Sequence, residues 1–178
     1  HGAEQVAMVL GDTAELLESM ASRTLEMMNA GARLDDIVHE VQPPAELLER
    51  PWLQPVYDDP EFIVHNVWRL YGGWYDGDPS HLKAAPAPAL ATEIADLAGG
   101  ADRLAARAAE LAAQGELRLA GHLAEFATQA DPTSAGNHGV RAEVNRARVR
   151  AESSLMAKGI FGWAEAESRR LAEGDNSD

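Results

Sequence analysis

The stretch from Glu61 to Pro79, EFIVHNVWRLYGGWYDGDP, decides how the chain is read. Ile63, Val67, Leu70 and Tyr71 repeat at the spacing of one helical face, which Val64 and Trp68 widen. Asp59 is an N-cap in front of Pro60, a residue suited to the first helical position, so the helix starts cleanly. Gly72 and Gly73 stop it. Trp74, Tyr75, Asp76 and Gly77 then form a turn, and Asp78-Pro79 opens a short helix holding Ser80, His81 and Leu82. Seven of the chain's aromatic residues lie in or just before this stretch: Trp52, Tyr57, Phe62, Trp68, Tyr71, Trp74 and Tyr75. An irregular turn of glycines and rings set among helices is where specificity is expected. A phenol on such a turn can donate a hydrogen bond to an anionic group, although two nearby acids make it a poor lone anion site. The plainer reading is a structural turn with Trp74 buried, Asp76 satisfying backbone N–H groups and Gly77 at positive φ.

Upstream, Glu4 to Ala30 reads as one long helix. Val6, Leu10, Thr13, Leu17, Met20, Thr24 and Met27 form a heptad-like stripe, to be packed within the domain or against a second copy. A short helix, Leu34 to Val41, ends before Pro43 and Pro44. Residues 45–50 give a further turn or two of helix, and the proline-rich loop 51–60 is pinned by its rings. Downstream, Lys83 to Pro88 is an internal seam separating residues 1–83 from 88–172. Leu90–Leu97, Asp102–Ala113 and Leu117–Ala130 are helices, the last two hinged at Gln114-Gly115. The position of Gly115, Ala120 and Ala127 relative to Pro132 gives this pair tetratricopeptide-like anatomy. Val140–Leu155 is one more helix, Lys158 to Gly162 an interruption, and Trp163–Leu171 a last helix. No segment alternates as a strand does. The expected class is all-α: a multi-helix bundle with a tetratricopeptide-like hairpin in its second half.

With 46% apolar residues the chain can bury a core without staples, and the lack of cysteine removes disulfides and thiolate metal sites. A net charge of -14 argues against nucleic acid and anionic membrane surfaces. No apolar run reaches the roughly 20 residues of a membrane span. The chain opens His1-Gly2-Ala3 without an initiating Met or a basic leader region, so it reads as a piece of a longer protein. Cytoplasm is favoured and periplasm is possible, though the sequence does not give the compartment. His39, His65 and His81 could converge, but no H-E-x-x-H, P-loop, nucleophile-elbow or dinucleotide motif is present. His122 and His138 read as solvated, and Arg141, Arg146, Arg148 and Arg150 as a salt-bridged surface.

Asn66 to Gly77, followed by Asp78-Pro79, resembles the signature of the helical dimerisation domain of the alkyl sulfatases, zinc enzymes of the metallo-β-lactamase superfamily. The flanking Leu53 to Asp58, Leu82-Lys83 and the Gly115–Pro132 hairpin agree. The resemblance covers essentially all of residues 1–178. It implies a homodimerising domain without catalysis of its own. It would follow a two-zinc metallo-β-lactamase domain and in some relatives precede a sterol-carrier-like domain. The H-x-H-x-D-H zinc motif is absent, so no cofactor is expected in this fragment. His1-Gly2 is similar to the last zinc ligand of the parent enzyme; a tag remnant would look the same. The resemblance also implies that Tyr75 contacts substrate, on a structural turn built from Gly72, Gly73, Trp74, Asp76, Gly77 and Pro79. This chain has Asp78 where the family pattern has Asn, which adds negative charge where a sulfate would approach. Two rival expectations remain: a tetratricopeptide-like interaction adaptor and a self-contained metal-dependent helical enzyme.

Overall fold

In the computed structural model residues 2–174 are described, and their regular structure is helical throughout. The elements are α1 (Ala3–Asn29), α2 (Leu34–Glu40), α3 (Ala45–Leu48), a 3-10 turn (Pro51–Leu53), α4 (Pro60–Tyr71), α5 (Pro79–Leu82), α6 (Ala87–Ala98), α7 (Ala101–Ala113), α8 (Leu117–Ala130), α9 (Ala135–Ala151) and α10 (Leu155–Glu173). No described helix is long and apolar enough to cross a membrane. The chain divides after Lys83 into two compact units.

The first unit is built on α1. At about 1.5 Å per residue, its 27 residues span roughly 40 Å. Leu16, Met20 and Thr24 are buried on it and join Ile37, Val38, Val41, Leu47 and Val64 in one core. Facing a core, Thr13 and Thr24 satisfy their hydroxyls by donating to the carbonyls of Val9 (2.7 Å) and Met20 (2.8 Å). The stripe read from sequence is only partly the buried one. Val6, Leu10 and Leu17 are exposed, as is Met8. The exposed positions lie in the first part of the helix, whereas Met20 and Thr24 are buried and Met27, near its other end, packs against the core. In α4, Asp59 accepts from Glu61 N–H (2.8 Å), as an N-cap should. Its buried edge is Val64 with Ile63 and Trp68 against the core. Leu70 and Tyr71, read as part of the same helical face, are exposed. The Trp52 indole helps pin the 51–60 loop by donating to Asp12 (3.1 Å); Tyr57 is exposed.

The second unit packs α6 to α10 through small side chains. Ala91, Ala95, Ala105, Ala108, Ala120, Ala124, Ala127 and Ala142 are buried, with Leu104, Leu111 and Val144. The hairpin of α7 and α8 closes over Ala108, Leu111, Ala120 and Ala124. Three expectations are corrected here. Helix α9 ends at Ala151, and α10 runs unbroken through Gly159 and Gly162. Ser154 caps it by accepting from Ala157 N–H (3.2 Å), and burial of Ala157, Ala164 and Ser168 outweighs the weak helix propensity of two glycines. His138 is buried, not solvated; its Nε2–H donates to the Pro132 carbonyl (3.0 Å). Of the arginine cluster, Arg146 is exposed and salt-bridged to Glu143 as read, and Arg150 is exposed, but Arg141 and Arg148 are not surface residues. Arg141 is buried between Glu125 of α8 (2.7 Å) and Glu167 of α10 (3.0 Å), and also donates to Ser168 (2.6 Å). The Arg148 guanidinium lies 3.8 Å from the centre of the Phe161 ring. On its other side is Gly121, where a Cβ would come within 2.7 Å of an Arg148 nitrogen. Burial pushes the Arg148 pKa down, and Arg118 adds to that effect.

Candidate functional site

Within the first unit, the end of α4 sets up the turn. Gly72 N–H donates to the Trp68 carbonyl (2.6 Å), and Gly73 takes φ +84° to swing the chain away. Trp74 then points outward, 76% exposed, which corrects the expectation that it is buried. Tyr75 is half-buried, its ring edge-on to Trp74 at 6.1 Å. The Trp68 indole N–H donates to the Tyr75 carbonyl (3.1 Å), and Leu34 N–H donates to the next carbonyl, that of Asp76 (3.0 Å). The Asp76 carboxylate accepts from Asp78 N–H (2.9 Å) with one oxygen and bonds His81 Nδ1 (2.5 Å) with the other. Gly77 sits at φ +93° with its Cα backed onto Arg33; an added Cβ would lie 3.0 Å from Arg33 Cγ. That position needs glycine twice over, for the backbone angle and for the room. Asp78 accepts from Ser80 N–H (2.8 Å) and starts α5 at Pro79.

A cleft of about 710 Å³ opens beside the turn, lined by the start of α2 at Arg33 to Asp36, by His65 of α4, and by Asp76, Asp78 and His81. The hydrogen bond from His81, then that from Asp78 N–H, holds the Asp76 carboxyl below the usual range. The backbone N–H of Ser80 does the same for Asp78. In return Asp76 raises the His81 imidazole. Both carboxylates are therefore ionised at neutral pH. Among the described residues the Tyr75 phenol carries no hydrogen bond, so its O–H is free to donate to a group brought to the turn.

His65 and His81 line one cleft, and His39 lies in another, beside Arg23 and Glu40. Among the described residues no three His, Asp or Glu side chains gather as a metal would require. His1 lies outside the described residues. Two residues that organise the site were not singled out for it from the sequence: Trp68, read as helix face, and His81, read only as one of three histidines that could converge. Each bonds across a turn whose path spacing alone does not give.

Residues 33–170 match the family described as alkyl sulfatase dimerisation. The chain is 29% identical over 116 residues to a linear primary-alkylsulfatase of a Pseudomonas species, covering 65% of this chain and 22% of that protein. It is also 29% identical over 141 residues to the alkyl/aryl-sulfatase BDS1 of Saccharomyces cerevisiae, covering 79% and 21%. The chain thus spans about a fifth of the length of these curated relatives. In fold it is similar to the solved stereoselective inverting sec-alkylsulfatase Pisa1 of Pseudomonas, with a TM-score of 0.87 at 24% identity over 97% of this chain and 27% of that one. The structural match takes in α1, which lies outside the family match. On the match over residues 33–170, the chain belongs to the alkyl sulfatase dimerisation family.

Proposed function

We propose that this chain is the homodimerisation module of a zinc-dependent alkyl sulfatase and lends Tyr75 to that enzyme's active site. The family match over residues 33–170 carries the reading. Zinc would be held by a metallo-β-lactamase domain earlier in the same polypeptide, since the described residues here do not fit a metal. The residues of this domain bind and orient: the unpartnered Tyr75 phenol donates to a non-bridging oxygen of the sulfate ester, whose charge grows as the ester breaks. Self-association would use the exposed side of α1, where Leu10 and Leu17 stand between Ala7, Ala14 and Ala21 at seven-residue intervals.

The test is kinetic. In the full-length protein Tyr75→Phe is expected to lower kcat on a primary alkyl sulfate about 100-fold with the helical spectrum unchanged. A chelator is expected to abolish the same activity. A full-length protein inert on alkyl sulfates, or a Tyr75→Phe variant as active as the parent, overturns the reading.

A further inference from the structure

Tyr75 is held at two neighbouring points. Its carbonyl accepts from the Trp68 indole (3.1 Å), and that carbonyl shares one peptide plane with the Asp76 N–H. The Asp76 side chain is tied in turn to His81 (2.5 Å) and to Asp78 N–H (2.9 Å). Rotating the Tyr75–Asp76 peptide would therefore disturb the indole bond and the carboxylate together. His81 belongs to α5, a single turn of helix capped by Asp78, so the loop is closed on itself. We infer that His81 is a positioning residue for Tyr75, fixing through Asp76 the peptide that presents the phenol. The placement of the turn stands on geometry alone; its value to catalysis rests on the function proposed above.

The surroundings of His81 decide how the tie responds to pH. The groups facing it are Asp76 and Asp78 on the turn, Arg33, Asp35 and Asp36 at the start of α2, and His65 on α4. Of these, Asp76 is the one bonded to the imidazole, and Asp78 adds a second favourable charge. Deprotonation leaves an Nδ1–H tautomer that can still donate to Asp76 but no longer carries charge. The tie is expected to slacken as His81 loses its proton, not to vanish.

The reporter is the Trp68 indole N–H, followed by NMR in the 178-residue chain and assigned with Trp68→Phe. Its shift is expected to titrate with His81, at a midpoint above the ordinary histidine value of 6.5. In His81→Ala the indole N–H should exchange about fivefold faster. His81→Gln, which keeps a donor without a titration, should restore protection and flatten the pH response. Asp76→Asn should flatten it while far-UV spectra stay helical. An indole indifferent both to pH and to His81→Ala overturns the inference. In the full-length enzyme His81→Ala is expected to lower kcat with KM little changed. If that enzyme proves inactive on alkyl sulfates, the indole readout still decides the role of His81.

Discussion

The carboxylate at position 78 performs two tasks that can be separated. Capping Ser80 N–H asks only for a side-chain oxygen, which Asn supplies about as well. The charge lies three residues from the phenol proposed above to meet an anion. Asp78→Asn is thus expected to leave the melting temperature unchanged and, in the full-length enzyme, to lower KM for an anionic ester about threefold. The pair next to it sets a pH window. His81 has a raised pKa, so its contribution is complete below 6.5 and is lost as pH rises through the folded value. Asp76 has a lowered pKa, so its contribution is complete above 3.8 and is lost as pH falls through the folded value. The turn should be tightest between those two pH values, and the difference between parent and His81→Ala in urea midpoints measured across pH checks it. Arg141 is a different case, buried and paired twice. Arg141→Met leaves Glu125 and Glu167 without their cation. Because both carboxylates keep a third of their surface in water, the expected cost is about 2 kcal/mol, less than for a fully buried pair, read from urea denaturation.

Among the elements, α1 serves two surfaces. Leu16, Met20 and Thr24 bury one side, and Val6, Leu10 and Leu17 leave the other apolar and exposed. If the second surface joins two copies, Leu10→Glu with Leu17→Glu should halve the mass in light scattering while helicity is kept. Neither position touches the core, so loss of fold is not expected. Helix starts were legible in the sequence because capping is local: Asp59-Pro60 and Asp78-Pro79 announce α4 and α5 within two residues. The all-α class was legible for the same reason. Which apolar residues are inside was less so. Leu70, Tyr71 and Trp74 carry the right period or bulk, yet all three are exposed. Burial is a property of what lies opposite, and one sequence does not show it. The arginines of α9 misled in the same way: Arg141 looks like its solvated neighbour Arg146 until Glu125 and Glu167 are brought around it.

For the molecule as a whole, charge and core composition set the terms. At -14 per copy, two copies repel, and screening should relieve that. The dimer is expected to tighten between about 20 mM and 300 mM salt, where the Debye length shrinks from roughly 20 Å to 6 Å, as sedimentation at several concentrations would show. The second unit faces a subtler problem. Its buried surface is mostly alanine, and alanine faces are smooth. With few long side chains to interlock beyond Leu104, Leu111 and Val144, a helix that shifts by one turn against its neighbour loses few distinctive contacts. The parts that cannot be shifted are Arg141, caught between carboxylates on α8 and α10, and Arg148, lying on Gly121 and Phe161. They act as detents. Removing both would cost alignment before it cost helix, leaving a unit that still reads as α-helical but has several interchangeable registers.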